Sequence, residues 1–166
     1  MIFTITISPN ESYYKEAYGE IVSTLKLKKY EPYFAIIMFL FGIGLYFWDT
    51  YKVLGIFPVI FSLVGVYECF KVYHEKYKWL KARLANNVTG QKIEMEFSES
   101  NISHTGPFSN GEIKWEGIIS IHKTKKGIIL KPDNGVSMYL PDAVFSDKSQ
   151  IEFILSKNKR KIFDRA

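Results

Sequence analysis

Cysteine is almost absent from this sequence of 166 residues, since Cys69 is the only one. A single cysteine excludes a disulfide within the chain, so folding does not require an oxidising compartment. Histidine is also scarce, and His74, His104 and His122 do not have the spacing of metal ligands. The sequence contains no phosphate-binding glycine loop, no nucleophile elbow and no dinucleotide fingerprint. We therefore expect no enzyme activity, no cofactor and no bound metal.

Strong charge of one sign is lacking too. The net charge is +5, and the basic residues are spread over both halves of the chain. This balance is too weak to predict binding to DNA or RNA. The N-terminus has no basic region followed by an apolar stretch, so we expect no cleavable signal peptide.

The N-terminal segment reads as a strand followed by a helix. Residues 2–8 are rich in β-branched residues and alternate with a period of two, with Phe3, Ile5 and Ile7 on one side, which predicts a strand. Ser8 and Glu11 have the spacing of a capping box, with Pro9 at the first helical position. We predict an amphipathic helix over residues 9–30, whose apolar stripe packs on the protein's own core and consists of Tyr14, Ala17, Tyr18, Ile21, Val22 and Leu25.

Two uncharged runs follow, Tyr33–Trp48 and Val53–Tyr67. Each is somewhat shorter than the ~20 residues of a comfortable spanning helix, but both are apolar on every face. A soluble helical hairpin would show a polar stripe, and the remaining chain is too small to cover two such helices. The sequence therefore predicts a transmembrane hairpin over residues 33–67, with helices at 33–48 and 53–67, where Pro58 would kink the second.

Lysines on both sides of this hairpin predict its orientation. They precede the first run and follow the second, whereas the connecting loop has Lys52 alone. By the positive-inside rule, we expect a multi-pass protein of the inner membrane with both termini in the cytoplasm. The residues that we expect at the membrane interface, and so near lipid, are Lys26, Lys28, Lys29, Tyr33, Trp48, Lys71, Lys78 and Trp79.

Small residues in the hairpin would let helices approach closely, and they would also allow a homo-oligomer. These residues are Gly42, Gly44, Gly55, Ser62 and Gly65. Residues 68–87 continue the second helix as a cytoplasmic stalk, with Val72, Trp79, Leu80 and Leu84 at helical spacing. That stalk either lies on the anionic leaflet or docks on the soluble domain, and the sequence leaves both alternatives open.

Residues 91–166 have the pattern of a β-domain with a C-terminal helix. About six short strands are separated by turn residues, with a bulge expected near Gly117, and Ser149 and Glu152 have capping-box spacing. Trp115 is expected to be a core anchor. Because an unpaired edge strand is unfavourable, residues 1–8 should join this domain, giving a seven-strand, partly orthogonal barrel interrupted by the hairpin. The fold class is thus an α+β membrane protein.

The C-terminal sequence resembles the YcxB-like family of bacterial membrane proteins. The resemblance is carried by residues 113–119 (IKWEGII), 126–130 (KGIIL) and 139–145 (YLPDAVF), and by the layout of strand, helix and membrane hairpin. It implies a C-terminal domain similar to pleckstrin-homology-like folds. No reaction or catalytic residue follows from it.

Three functions fit these features. The leading hypothesis is a membrane-anchored binding module that recognises a protein or lipid ligand at the inner membrane. A second is an immunity-type protein that neutralises a toxin acting on the envelope. The third is an oligomeric component of a small transporter or channel, which requires other copies to complete a polar path.

Overall fold

The computed structural model describes residues 1–49, 52–87, 89–133 and 135–157. Outside this description lie Thr50 and Tyr51 of the predicted hairpin, Val88 between the predicted stalk and the predicted β-domain, and Asn134 and residues 158–166 of the predicted β-domain. The fold is α+β with two antiparallel sheets. The chain divides into two units, of which unit 1 comprises residues 1–24 and 82–166 and unit 2 comprises residues 25–81. Unit 2 is therefore an insertion within the sequence of unit 1.

Seven strands and four α-helices occur in the described part of the chain. The strands are β1 (Phe3–Ile7), β2 (Ile93–Phe97), β3 (Asn101–Thr105), β4 (Asn110–Lys114), β5 (Ile118–Lys123), β6 (Gly127–Pro132) and β7 (Met138–Pro141). The α-helices are α1 (Glu11–Ser23), α2 (Glu31–Trp48), α3 (Phe57–Leu84) and α4 (Lys148–Ser156).

The N-terminal strand pairs with the first strand after the insertion. β1 is antiparallel to β2, with Phe3 opposite Phe97 and Ile7 opposite Ile93. Phe3, Ile5 and Ile7 are buried while the threonines between them are exposed, as period-two alternation predicts. The Phe3 and Phe97 rings stack with centroids 5.1 Å apart. This strand thus contributes one face of the core, where Ile102, Trp115 and Ile154 also lie.

The predicted closed barrel is not formed. β1-β2-β3-β4 make one sheet and β5-β6-β7 make a second. Near Gly117, where the sequence predicted a bulge within a strand, a 3₁₀ turn at Trp115–Gly117 instead separates β4 from β5 and takes the chain from one sheet to the other. Trp115 is buried at this turn, and its indole N–H donates to the Ser98 carbonyl oxygen over 2.9 Å. The predicted irregularity is found just beyond, as a register shift between Ile118 and Ser120.

Helix α1 is held to the second sheet by a pair of tyrosines. The Tyr13 hydroxyl donates to the Tyr139 carbonyl oxygen over 2.7 Å, and the Tyr139 hydroxyl donates to Glu16 Oε1 over 2.6 Å. Burial, together with the Glu16 carboxylate, raises the pKa of Tyr139 above its ordinary value. In the predicted apolar stripe of α1, Ala17 is buried but Leu25 is exposed. The prediction omitted Tyr13.

Both predicted capping boxes were wrong in their cap residue. Asn10, not Ser8, caps α1, and its side-chain oxygen accepts from the Tyr13 amide over 2.8 Å. Asp147, not Ser149, caps α4, because its carboxylate accepts from both the amide and the hydroxyl of Ser149. Asparagine and aspartate are at least as good N-caps as serine, so α1 begins later and α4 earlier than the serines predicted.

Removing the Tyr139 hydroxyl should destabilise unit 1. Tyr139→Phe deletes a partly buried hydrogen bond to a carboxylate, and we expect a loss of about 2 kcal/mol in the free energy of unfolding. Denaturant unfolding of the full chain in detergent micelles measures this change. Tyr46→Phe is the matched control because Tyr46 is 65% exposed. Equal stabilities of the two variants would contradict this role for Tyr139.

Stability at acid pH should depend on Glu99. Its carboxylate lies 2.5 Å from Lys157 Nζ and 2.5 Å from the N-terminal amine, and these contacts lower the pKa of Glu99 to about 2. Because the pKa is depressed on folding, the stabilisation is present above the ordinary value of 4.5 and is lost as the pH falls towards 2. We expect the melting temperature to fall through this window in the wild type and less so in Glu99→Gln. Glu96→Gln, an exposed carboxylate on β2, should retain the wild-type slope.

Candidate functional site

Unit 2 exposes an unusual amount of apolar surface. Lys28–Trp48 is the one helical segment among the described residues that is long and apolar enough to cross a membrane, judged by length and composition. Only 11% of its most apolar window is buried, which differs from a core helix of a soluble protein. Tyr33, Ile37 and Trp48 are 66%, 62% and 83% exposed. α2 begins at Glu31, two residues before the predicted start at Tyr33, and Pro32 lies in its first turn.

The second predicted span, 53–67, has a different extent in the structure. Residues 53–56 form a turn, and α3 begins only at Phe57. Its uncharged part therefore ends at Tyr67 after about 16 Å, at about 1.5 Å per residue. From there α3 continues as one helix of 28 residues to Leu84, as the stalk prediction expected, but Pro58 lies in its first turn and does not kink it.

Helices α2 and α3 touch where two glycines lie. A Cβ on Gly42 would be 2.5 Å from the Ser62 nitrogen, and a Cβ on Gly65 would be 2.5 Å from the Phe39 nitrogen. Such contacts require glycine, and they match close helix approach through small residues. A Cβ on Gly44 or Gly55 would have no neighbouring atom within 4 Å, so the prediction of close approach fails at these two positions.

The turn between the helices has an internal cap that the sequence analysis missed. The Asp49 carboxylate accepts from the Val53 amide over 2.7 Å and from the Leu54 amide over 2.9 Å. Two backbone donors at the apolar tip of the hairpin are thereby paired without solvent. An aspartate directly after a helix and before a tight turn is the available signal, since its side chain bonds nearby amides in turns.

A cluster of charged residues lies at the other end of the hairpin. Lys28 Nζ is 2.6 Å from Glu75 Oε2, and Lys71 Nζ is 3.2 Å from Glu68 Oε2. The hydrogen bond to Glu68 raises the pKa of Lys71, and the carboxylates of Glu31 and Glu75 act in the same direction. The hydrogen bond from Lys28 lowers the pKa of Glu75. The Lys28–Glu75 pair joins the turn before α2 to α3, whereas the Lys71–Glu68 pair lies within α3.

The eight residues predicted for the membrane interface fall into separate groups. Lys28 and Lys71 join the charged cluster, whereas Lys26 and Lys78 are exposed. Lys29 Nζ lies 4.6 Å from the centroid of the Tyr30 ring. Tyr33 is near the start of α2 and Trp48 is at its end, and Trp79 is half-buried on α3. The acidic partners Glu68 and Glu75 were not among the predicted site residues. Glu68 lies one turn from Lys71, which signalled that pair, whereas the pairing of Glu75 with Lys28 joins residues distant in the sequence.

Potential metal ligands are dispersed. Across the described ranges, no group of three or more His, Cys, Asp or Glu side chains is placed to hold a metal ion. His74 stacks on Phe70 with ring centroids 5.5 Å apart, and the ring of His122 is 3.0 Å from the Ser120 hydroxyl. These contacts are structural. The candidate functional site is therefore the apolar hairpin.

Filling the glycine contact should separate the two helices of the hairpin. Gly65→Leu places side-chain atoms where the Phe39 backbone lies, and we expect a loss of about 1–3 kcal/mol from overpacking. Gly44→Leu is the matched control, because the leucine side chain enters open space at that position. Leucine also stabilises a helix by about 0.5–1 kcal/mol relative to glycine. Thermal unfolding of both variants in micelles tests the contact, and a Gly65→Leu variant as stable as Gly44→Leu would refute it.

Comparison with known proteins finds no relative. No family model, no curated protein and no solved structure matches this chain. The resemblance to the YcxB-like family therefore stays a prediction, and the function has to be argued from the residues described above.

Proposed function

We propose that this chain is a membrane-anchored, non-enzymatic binding module, in which the hairpin of unit 2 is embedded in the inner membrane. The observation that carries the proposal is the exposure of α2, on which exposed apolar side chains extend from Tyr33 to Trp48. Soluble monomers rarely expose contiguous apolar patches larger than a few hundred Å². Hydrocarbon chains are the environment that such a surface favours.

The dimensions of the hairpin support insertion of both helices. α2 has 18 residues and a length of about 27 Å, close to the ~30 Å of a hydrocarbon core. The apolar turn residues Val53 and Ile56 and the first part of α3 return alongside it, down to Glu68. Paired charges at that level belong in the headgroup layer, where the lysine side chain reaches water. Local thinning of the bilayer accommodates the shorter return path.

The charge distribution supports cytoplasmic termini. Lys26, Lys28 and Lys29 precede α2, and Lys71, Lys76, Lys78 and Lys81 lie on α3 after its apolar part. The tip of the hairpin offers Lys52 beside Asp49. Positively charged flanks are retained on the cytoplasmic side, so unit 1 faces the cytoplasm in this proposal.

Unit 1 supplies surfaces for recognition. Sheet order leaves β1 and β4 at the edges of the first sheet, and β5 and β7 at the edges of the second. Edge strands carry backbone donors and acceptors that an extended peptide can pair with. A binding role that uses such edges is also in keeping with the resemblance to pleckstrin-homology-like domains. An immunity role and a channel role remain predictions, which a neighbouring toxin gene or ion flux through reconstituted vesicles would test.

Thiol labelling tests the orientation of the hairpin. In a Cys69→Ser background, Val53→Cys reports the tip and Lys92→Cys reports unit 1, and both positions are exposed. We expect a membrane-impermeant maleimide to label Val53→Cys in intact spheroplasts, and Lys92→Cys only after the membrane is opened. Labelling of both positions from the same side, or release of the chain by alkaline carbonate, would overturn the proposal.

A further inference from the structure

The cytoplasmic part of α3 carries an exposed aromatic and basic surface. Phe70, Tyr73 and Tyr77 recur at spacings of three and four and are 63%, 71% and 53% exposed. Lys81 continues the same stripe, while Lys76 and Lys78 lie about 100° to either side of Tyr77. We call these six residues the aromatic–basic surface.

Lipid cannot cover most of this surface if the hairpin is inserted as proposed above. Tyr77 lies about 14 Å and Lys81 about 20 Å beyond Glu68 along the helix axis. The headgroup layer of one leaflet is only roughly 5–8 Å thick. Because α3 is one helix from Phe57 to Leu84, its later part cannot bend down onto the leaflet. The alternative in which residues 68–87 lie on the membrane is therefore disfavoured.

A second copy of the chain is a poor occupant for the same surface. Copies in one membrane share an orientation, so paired α3 helices would be parallel and would align Lys76, Lys78 and Lys81 with themselves. From residue 76 to residue 84 the helix contains four basic residues and no acidic one. Like charges brought together in this way oppose association.

We infer that the aromatic–basic surface binds an amphipathic helix of a protein partner whose apolar stripe is flanked by glutamate or aspartate. This inference rests on the proposed membrane insertion, and it names the partner class that the binding module recognises. The stripe spacing suits packing against another helix, and the lysines supply charge complementarity. The three aromatic side chains offer roughly 300–450 Å² of area, which corresponds to the small interfaces of transient complexes.

A designed peptide provides the probe. It is a 21-residue helix with leucine at heptad positions a and d and glutamate at e and g, and the control peptide has lysine at e and g. Both are labelled and titrated against the full chain in nanodiscs of zwitterionic phosphatidylcholine, with fluorescence anisotropy as the readout. We expect micromolar binding of the glutamate peptide only, weakened at least tenfold between 0.1 M and 0.5 M salt.

Variants of the chain connect this binding to the surface. Tyr73→Ala with Tyr77→Ala should weaken binding at least tenfold, and the triple change Lys76→Glu, Lys78→Glu and Lys81→Glu should reverse the preference to the lysine peptide. Lys92→Glu, at an exposed lysine of unit 1, should bind like the wild type. Equal binding of the two peptides, binding of neither, or insensitivity to these changes would overturn the inference.

Two further measurements test for the two other occupants, a second copy of the chain and lipid. Cys69 is exposed one residue before Phe70, so a short bismaleimide that crosslinks the wild type into a dimer would indicate a second copy and overturn the inference. A spin label at Lys81→Cys in the Cys69→Ser background should be accessible to water-soluble relaxants, and protection by anionic vesicles would indicate lipid instead. Thiol labelling of the hairpin tip reports membrane insertion and does not depend on peptide binding. Failure of the proposed function is therefore distinguished from failure of peptide binding.

Discussion

The pairing of β1 with β2 is the interaction on which the architecture depends. Five residue pairs join a strand at the N-terminus to a strand that follows the whole insertion, and the buried side of that pairing contains Phe3, Ile5 and Met95. Without β1, the first sheet would lose an edge strand and the core would lose three large apolar side chains. Unit 2 is consequently fixed to unit 1 by chain at both of its ends.

Local sequence signals predicted the elements better than their assembly. Alternation in residues 2–8 and uniform apolarity from Tyr33 to Trp48 are strong periodic signals, and each corresponds to an observed element. The separation of β4 from β5 was not predictable in this way, because a 3₁₀ turn stabilised by Trp115 and Ser98 depends on contacts between distant residues. The late start of α3 has a local cause instead, since the Asp49 carboxylate accepts from two amides of the turn before α3.

For the candidate site too, the sequence predicted the elements better than their assembly. Lysines around an apolar segment are visible in the sequence, and they indicate the membrane interface as a whole. Which lysine pairs with which carboxylate depends on the antiparallel packing of α2 and α3, which places Lys28 beside Glu75. On α3 the predicted stripe of Val72, Trp79, Leu80 and Leu84 is half-buried, whereas Tyr73 and Tyr77, which the prediction did not single out, are exposed.

The long separation between β1 and β2 also has a kinetic consequence during synthesis. Phe3–Ile7 leaves the ribosome well before Ile93–Phe97 has been made, a delay of roughly 4–17 s at roughly 5–20 residues per second. Closing so long a loop is entropically unfavourable until its contents are ordered. All of the hairpin is translated in this interval, before β2. β1 has no partner strand until β2 has been translated.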